Sequence, residues 1–291
     1  MLPTGSAAET NQGISHLFEH ILIARSHRLF PQSRVRGHTT EDYVILFGRG
    51  LTAADMGRVL KEMTLAPEEI ESEKEGLIGE IEQERHREEE FFFRFVWQGT
   101  DYEKTPLGQI EAVRAIGVAL LEELRAQLLH MPLYFYTGDS GLQIVNPPAA
   151  AGMPPTSLNI RRRRSEPFGD THYHIYYFNG QIEAMYLLER VLKKANPDHH
   201  VQLSEKKRES ALIVQQGARF PTGDNISSLK ESTLREIRHE VSGIQENFDE
   251  KALNELESVY FYNRRWNQRL ERLFRTSDRQ LLTLSVRLTE S

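Results

Sequence analysis

Apolar residues recur at intervals of three or four positions in several stretches of the chain, the spacing of an α-helix with one buried face. In the first half this spacing predicts helices over residues 13–28, 52–64, 67–81 and 112–129. In the second half it predicts a helix over 182–194 and a long amphipathic helix over 249–275. Thr52 suits an N-cap position, and Pro67 suits the first turn of the helix that it opens.

Shorter apolar runs rich in β-branched and aromatic residues alternate with these helices. They predict strands over residues 42–47, 133–136, 173–178 and 210–216. Strands interspersed with helices favour sheets that carry helices on a face. We therefore expect an α+β fold of two-layer α/β sandwich units, with antiparallel-rich sheets and packed helices.

A Pro- and Ala-rich stretch divides the chain into two halves of similar length. Residues 146–156 contain four prolines and cannot form the interior of a sheet. They predict a linker between a domain at residues 1–145 and a second domain at residues 157–291.

Composition then narrows the kinds of site that the chain can build. It has 291 residues, no cysteine and a formal net charge of −6. A disulfide framework and a thiolate site are excluded, so any metal must be held by His, Asp and Glu. The acidic balance argues against nucleic-acid binding, and no apolar run is long enough to cross a membrane. Residues 1–9 lack a basic and an apolar leader region, which predicts a cytoplasmic protein.

The pentapeptide His16-Leu17-Phe18-Glu19-His20 carries the strongest chemical signal in the sequence. On a helix, residues four apart share a face, so His16 and His20 can offer two imidazole nitrogens to one ion. Glu19 is close enough to reach a water at that ion. The H-x-x-E-H order is the inverted form of the H-E-x-x-H zinc motif. The alternative is a His-Glu-His face of a surface helix.

A catalytic zinc takes three protein ligands and a water, so a third ligand should come from another element. Glu73 and Glu80 lie seven residues apart in the predicted helix 67–81 and therefore share a face. One of the two can ligate the metal while the other orients a histidine.

Four segments resemble, in the same order, motifs of the pitrilysin/insulinase (M16) metallopeptidases, a family that includes mitochondrial processing peptidase. They are the run from G-S-A-A-E to H-L-F-E-H at residues 5–20, G-H-T-T-E-D-Y at 37–43, the 73–80 helix and T-P-L-G at 105–108. The second half matches more loosely, at residues 186–193, 203–214 and 249–254. This resemblance implies a pitrilysin-like fold of the metallohydrolase-like kind.

The resemblance also assigns roles to residues. It implies Zn²⁺ held by His16, His20 and Glu80, with Glu19 as the general base and Glu73 as a supporting catalytic carboxylate. Together these roles are those of a zinc metalloendopeptidase that hydrolyses a peptide or precursor. It implies that a peptide substrate adds as a strand beside residues 35–40, where Gly37 would allow another backbone to approach. The substrate-contacting residues implied are Arg36, Gly37, His38 and Thr39.

Members of the family work as two homologous halves, and this chain is long enough for one. The resemblance therefore implies a second M16-like subunit, in a heterodimer or a homodimer. It also implies strands ahead of Gly5 that this sequence lacks, so we expect the first sheet to be incomplete or to be completed by another chain. A non-catalytic M16-like structural or peptide-binding subunit is the first alternative. A zinc-independent peptide-binding module is the second.

Three other features have both a functional and a structural interpretation. Residues 161–164, four consecutive arginines, could bind an acidic partner but are more typical of a solvated strand or linker. His172 and His174 could form a second metal site, the less favoured interpretation. The charged run at 82–90 followed by the Phe-rich 91–95 predicts a solvated helix end that enters the core, with a dimer contact as the alternative.

Overall fold

The computed structural model describes residues 1–84, 87–147 and 157–290, and of residue 290 only the backbone. The chain forms two compact units, Met1–Ala150 and Ala151–Ser291. Residues 148–156 of the predicted linker lie outside the described residues. Among the described residues, no helix combines the length and the apolar character needed to span a bilayer.

The first unit combines α-helices with two β-hairpins. Its helices are α1 (Ile14–Leu29), α2 (Ala53–Lys61), α3 (Pro67–Glu84), α4 (Glu88–Trp97), α5 (Ile110–Ala115) and α6 (Val118–His130). Its strands are β1 (Arg34–Thr39), β2 (Val44–Arg49), β3 (Leu133–Thr137) and β4 (Gly141–Val145). β1 pairs antiparallel with β2, and β3 with β4.

The first two residues lie between these hairpins. Leu2 and Val44 exchange backbone hydrogen bonds of 2.7 and 3.0 Å, and the Met1 carbonyl accepts a bond of 3.1 Å from the Tyr134 N–H. Residues 1–2 therefore connect the β1–β2 hairpin with the β3–β4 hairpin through main-chain bonds.

Helix α1 is the centre of the first unit. Leu17, Phe18, Ile21 and Leu22 are almost completely buried in its core. The helix packs against β1, α2 and α3. Core packing thus holds the central turns of α1 on more than one side.

The start of α1 is fixed by residues on either side of it in the sequence. The Glu9 carboxylate accepts hydrogen bonds from the N–H groups of Gly13 and Ser15, at 2.7 and 2.8 Å. These are donors that a helix N-terminus leaves unsatisfied. Gly108 packs on the Gly13 backbone so closely that a Cβ at Gly108 would lie 2.5 Å from the Gly13 Cα. The T-P-L-G turn is therefore in backbone contact with the beginning of α1.

The second unit is a four-stranded antiparallel sheet with helices. Its strands are β5 (Asn159–Phe168), β6 (Thr171–Asn179), β7 (Val201–Ser204) and β8 (Ser210–Gln215), in the order β5-β6-β8-β7. Its helices are α7 (Ile182–Ala195), α8 (Ile226–Glu246), α9 (Phe248–Tyr262), α10 (Trp266–Phe274) and α11 (Asp278–Glu290). Apolar side chains of α7 are fully buried, and α8, α10 and α11 pack against this helix.

Two predicted helices are interrupted in the structure. The predicted helix 112–129 is instead α5 and α6, which are separated at Ile116, an extended residue, and Gly117, the N-cap of α6. The predicted helix 249–275 is α9 and α10, separated at Asn263, whose φ of 49° is left-handed. Asn tolerates that conformation better than most residues. The break was not predicted because the helical spacing of apolar residues continues across it.

Two segments whose sequence allowed two interpretations form regular elements in the structure. Strand β5 contains the four arginines at 161–164, and the Arg162 guanidinium lies 3.7 Å from the centroid of the Tyr177 ring. In α4, Phe91 is exposed while Val96 and Trp97 are buried, so the charged run leads into a helix whose last turn enters the core. Periodicity did not predict β4, β7, α8 and α11.

Replacing Glu9 with Ala should lower the free energy of unfolding by about 1–3 kcal/mol, because two buried N–H groups at the start of α1 lose their acceptor. Urea unfolding followed by circular dichroism measures the change. Glu75→Ala is the matched control, since Glu75 is exposed in the middle of α3. Equal unfolding midpoints for the two variants would contradict the capping role of Glu9.

Candidate metal centre

His16 and His20 lie one turn apart on α1 and form the base of the candidate metal centre. Their ring centroids are 5.0 Å apart and the rings are nearly perpendicular. Both side chains are largely buried, with 12% and 15% of their surface exposed. Packing of α1 therefore restricts the positions of both imidazoles.

Helix α3 brings two carboxylates to these histidines. One oxygen of Glu80 lies 3.6 Å from His16 Nε2, and the other lies 3.5 Å from His20 Nε2. Glu73, two turns earlier, places an oxygen 3.6 Å from His20 Nδ1. Glu80 thus faces the same nitrogen of both rings, and Glu73 faces the opposite nitrogen of one.

The donor set fits a zinc ion. One ligand atom from each of His16, His20 and Glu80 can be chosen so that all three lie within 4.8 Å of one another. Zinc–ligand distances of about 2.0–2.2 Å place two tetrahedral ligand atoms about 3.3–3.6 Å apart. The nitrogen–oxygen distances at Glu80 are in this range. Two imidazoles and one carboxylate are also a ligand set that catalytic zinc sites use.

Electrostatics at the centre favour a bound cation. Burial, and then the neighbouring His20, lower the pKa of His16 to about 4. The His16 ring is therefore neutral at pH 7, the form that ligates metals. Glu73 and Glu80 supply negative charge to the same place. A cation bound between these groups would offset the cost of bringing them together.

Glu19 precedes His20 on α1, and its side chain lies between the helix and strand β1. The residue is only 5% exposed, and its carboxylate accepts a hydrogen bond of 2.5 Å from the Thr39 hydroxyl. Burial raises the pKa of Glu19, while the Thr39 hydroxyl acts in the opposite direction. The bond from Thr39 to Oε2 therefore fixes the orientation of the Glu19 carboxylate.

Strand β1 places the residues predicted to contact substrate in two groups. Arg36 and His38 are exposed, and the Arg36 guanidinium lies over the Phe47 ring at 5.2 Å. The Thr39 side chain is buried and points to Glu19 instead. A Cβ at Gly37 would overlap the Glu19 carboxylate. The missing side chain of Gly37 therefore makes room for Glu19, a reason that the sequence analysis did not give.

Motif spacing did not predict what holds the five side chains of the centre, which lie on α1 (His16, Glu19 and His20) and on α3 (Glu73 and Glu80). The roles of Glu9, Gly13 and Gly108 in seating α1 were not predicted, and neither was the bond from Thr39 to Glu19. The sequence did contain a signal for this support, because the G-S-A-A-E segment at residues 5–9 is followed by Gly13 at the start of the helix. His172 and His174 have ring centroids 6.0 Å apart but belong to no potential metal-binding group among the described residues.

Comparison with known proteins gives structural similarity alone. The sequence matches no protein-family model and no curated protein. A putative M16-like peptidase from Alicyclobacillus acidocaldarius has a similar structure, with a TM-score of 0.61, 14% identity and coverage of 99% of this chain and 88% of that one. An inactive M16 peptidase domain from Pseudomonas fluorescens gives a TM-score of 0.60 at 11% identity, covering 96% of this chain and 86% of that one.

The periplasmic protease PqqL from Escherichia coli is also similar, with a TM-score of 0.57 and 11% identity. The match covers 99% of this chain but 43% of PqqL, so the chain spans less than half the length of that protein. These similarities confirm the predicted α+β fold of the M16-like kind.

Replacing Gly37 with Ala should lower the free energy of unfolding by about 1–3 kcal/mol, because the added methyl overlaps the Glu19 carboxylate. Gly48→Ala is the control on the partner strand β2, where the nearest atom to a Cβ is at an ordinary 3.4 Å. Urea unfolding compares the two variants.

The same Gly37 substitution should cost much less in a chain that also carries Glu19→Ala, because the overlapping carboxylate is gone. A cost that is unchanged in the Glu19→Ala background would show that Gly37 is required for another reason.

Proposed function

We propose that the chain is a zinc metalloendopeptidase subunit with an M16-like fold. The observation that carries this proposal is the convergence of His16, His20 and Glu80 within 4.8 Å, with the buried Glu19 on the same helix. In this proposal the three residues hold Zn²⁺. Glu73 orients His20 by accepting a hydrogen bond from its Nδ1–H.

When bound, zinc would supply acidity to a water molecule and polarise a peptide carbonyl. The protein's part is proton transfer at Glu19. Its carboxylate accepts a proton as water attacks the carbonyl carbon and returns it to the nitrogen of the leaving amine. Burial raises the pKa of Glu19 and so makes it a stronger base than an exposed carboxylate. Thr39 donates a hydrogen bond to Oε2 and thereby holds the carboxylate in place.

A peptide substrate would bind in extended form along β1. Among the residues that the structure describes, β1 pairs with β2 and with no other strand. Its second edge can therefore form main-chain hydrogen bonds with a peptide. Arg36 and His38 are exposed on this strand and are the side chains that would contact the substrate. Gly37 and Thr39 would contribute through their backbone groups, because both are engaged with Glu19.

A complementary M16-like subunit, in a heterodimer or a homodimer, would complete the substrate chamber. The length relation to PqqL supports this part of the proposal, because one chain covers 43% of that protease. A cytoplasmic location stays a prediction of the sequence.

A non-catalytic M16-like structural or peptide-binding subunit is the second candidate. It is favoured by the similarity to a domain named as inactive. Against it stands the donor set in this chain, where both histidines, Glu80 and Glu19 converge. Structural stability gives no reason to keep four polar side chains together beside a hydrophobic core.

The purified chain should contain about one zinc ion per molecule, measured by inductively coupled plasma mass spectrometry. His16→Ala should lose it, because one of three ligands is removed. His130→Ala is the matched control, since His130 is exposed at the end of α6 in the same unit. A wild-type chain without zinc after dialysis against zinc would overturn the metal assignment.

Replacing Glu19 with Gln should leave the zinc content unchanged and reduce peptide cleavage about 10²–10⁴-fold, because the proton acceptor is lost. Cleavage of a defined peptide pool is followed by mass spectrometry, with Glu75→Gln on α3 as the control. Full activity of Glu19→Gln would exclude Glu19 as the base. A zinc-loaded wild-type chain that cleaves no peptide would favour the non-catalytic subunit.

A further inference from the structure

The second unit contains a cavity of about 270 Å³ that is separate from the candidate metal centre. It lies where the start of α7 meets the end of α9 and the junction between α10 and α11. Three arginines line it, Arg264, Arg272 and Arg275, together with one acidic residue, Glu183. In a chain with a net charge of −6, this lining is locally basic.

Only one of the three arginines is neutralised by a buried partner. Arg264 lies 3.3 Å from Glu183, and both side chains are about 90% buried. Arg275 reaches Glu271 at 3.8 Å, but both side chains are strongly exposed, so this pair contributes little. Arg272 forms no ion pair within the described part of the chain. Two positive charges therefore remain at the cavity.

The arginines are also close enough to affect one another. Burial lowers the pKa of Arg264, and the charge of Arg272 acts in the same direction. Neighbouring guanidinium groups are a common arrangement for binding phosphate or carboxylate, whose charge and fork geometry match them.

Backbone donors face the same cavity. Gly180 and Gln181 both have left-handed φ values, of 78° and 48°, and lead directly into the first turn of α7. No side chain caps this helix. Its first N–H groups, at residues that line the cavity, are therefore available to an anion.

Neighbouring contacts hold the cavity wall in place. The Tyr262 hydroxyl donates a hydrogen bond of 2.5 Å to Glu205, which also pairs with Arg269 at 3.1 Å. The side chains of Tyr262, Glu205 and Arg269 thus bind one another. The Arg264–Glu183 ion pair restrains two further residues of the cavity lining. Arg272 is then placed to bind a ligand directly, beside Arg275, whose exposed pair with Glu271 is weak.

We propose that this cavity binds a small polyvalent oxyanion, with Arg272 as the principal contact and the start of α7 as the backbone contact. The volume suits a ligand of the size of phosphate or a dicarboxylate. Phosphate-bearing and carboxylate-bearing compounds share this chemistry, and the experiment below distinguishes them. The site is independent of the proposed peptidase activity.

Isothermal titration calorimetry with inorganic phosphate and with succinate tests the proposal on the full chain, against sodium chloride at matched ionic strength. We expect saturable binding of at least one of the two anions to the wild type. Arg272→Gln should weaken that binding at least tenfold. Arg235→Gln is the matched control, because Arg235 is exposed on α8 of the same unit and does not line the cavity.

Binding of phosphate but not succinate would assign the site to phosphate-bearing ligands, and the converse would assign it to dicarboxylates. Equal affinities of the Arg272→Gln and Arg235→Gln variants would overturn the assignment to this cavity. Heats for both anions that do not exceed those of sodium chloride would overturn the site itself. Since Arg272 is exposed, its replacement should leave thermal unfolding unchanged in the absence of anion, which verifies that the variant is folded.

Discussion

The burial of helix α1 is the constraint on which the first unit depends. Leu17, Phe18 and their apolar neighbours fix the rotation of this helix in the core, so its polar side chains must find partners where they emerge. His16 and His20 emerge towards α3 and meet carboxylates there, while Glu19 emerges towards β1 and meets a hydroxyl. The same packing that stabilises the unit therefore determines the geometry of the metal centre.

Helical and strand periodicity predicted most elements that place the centre, because α1, β2 and α3 have clear patterns. It failed where a local conformation overrides the pattern, as at Gly117 and Asn263, and it left β5 open between a strand and a linker because arginines obscure the alternation. The centre's residue types were predictable from motif spacing. The contacts that hold these residues were not predictable. Gly37 and Glu19, for example, meet in the fold although their spacing in the sequence does not relate them.

The two units carry opposite electrostatic features. The first collects carboxylates beside a neutral histidine, an arrangement suited to a cation, whereas the second collects arginines beside an uncapped helix start, suited to an anion. In each place one member of the group has a partner that holds it. The Thr39 hydroxyl donates a hydrogen bond to Glu19, and the Glu183 carboxylate pairs with Arg264. Net charge and composition show neither feature, because each depends on which few charges the fold brings together.

The backbone contact between Gly13 and Gly108 has a consequence for the order in which the protein can be made. The start of α1 is held by a turn about ninety-five residues further along the chain, and Lys104 in the same region donates a hydrogen bond to the Glu9 carbonyl. During synthesis, the histidines leave the ribosome long before this turn does. The start of α1 therefore acquires this support only after most of the first unit has emerged.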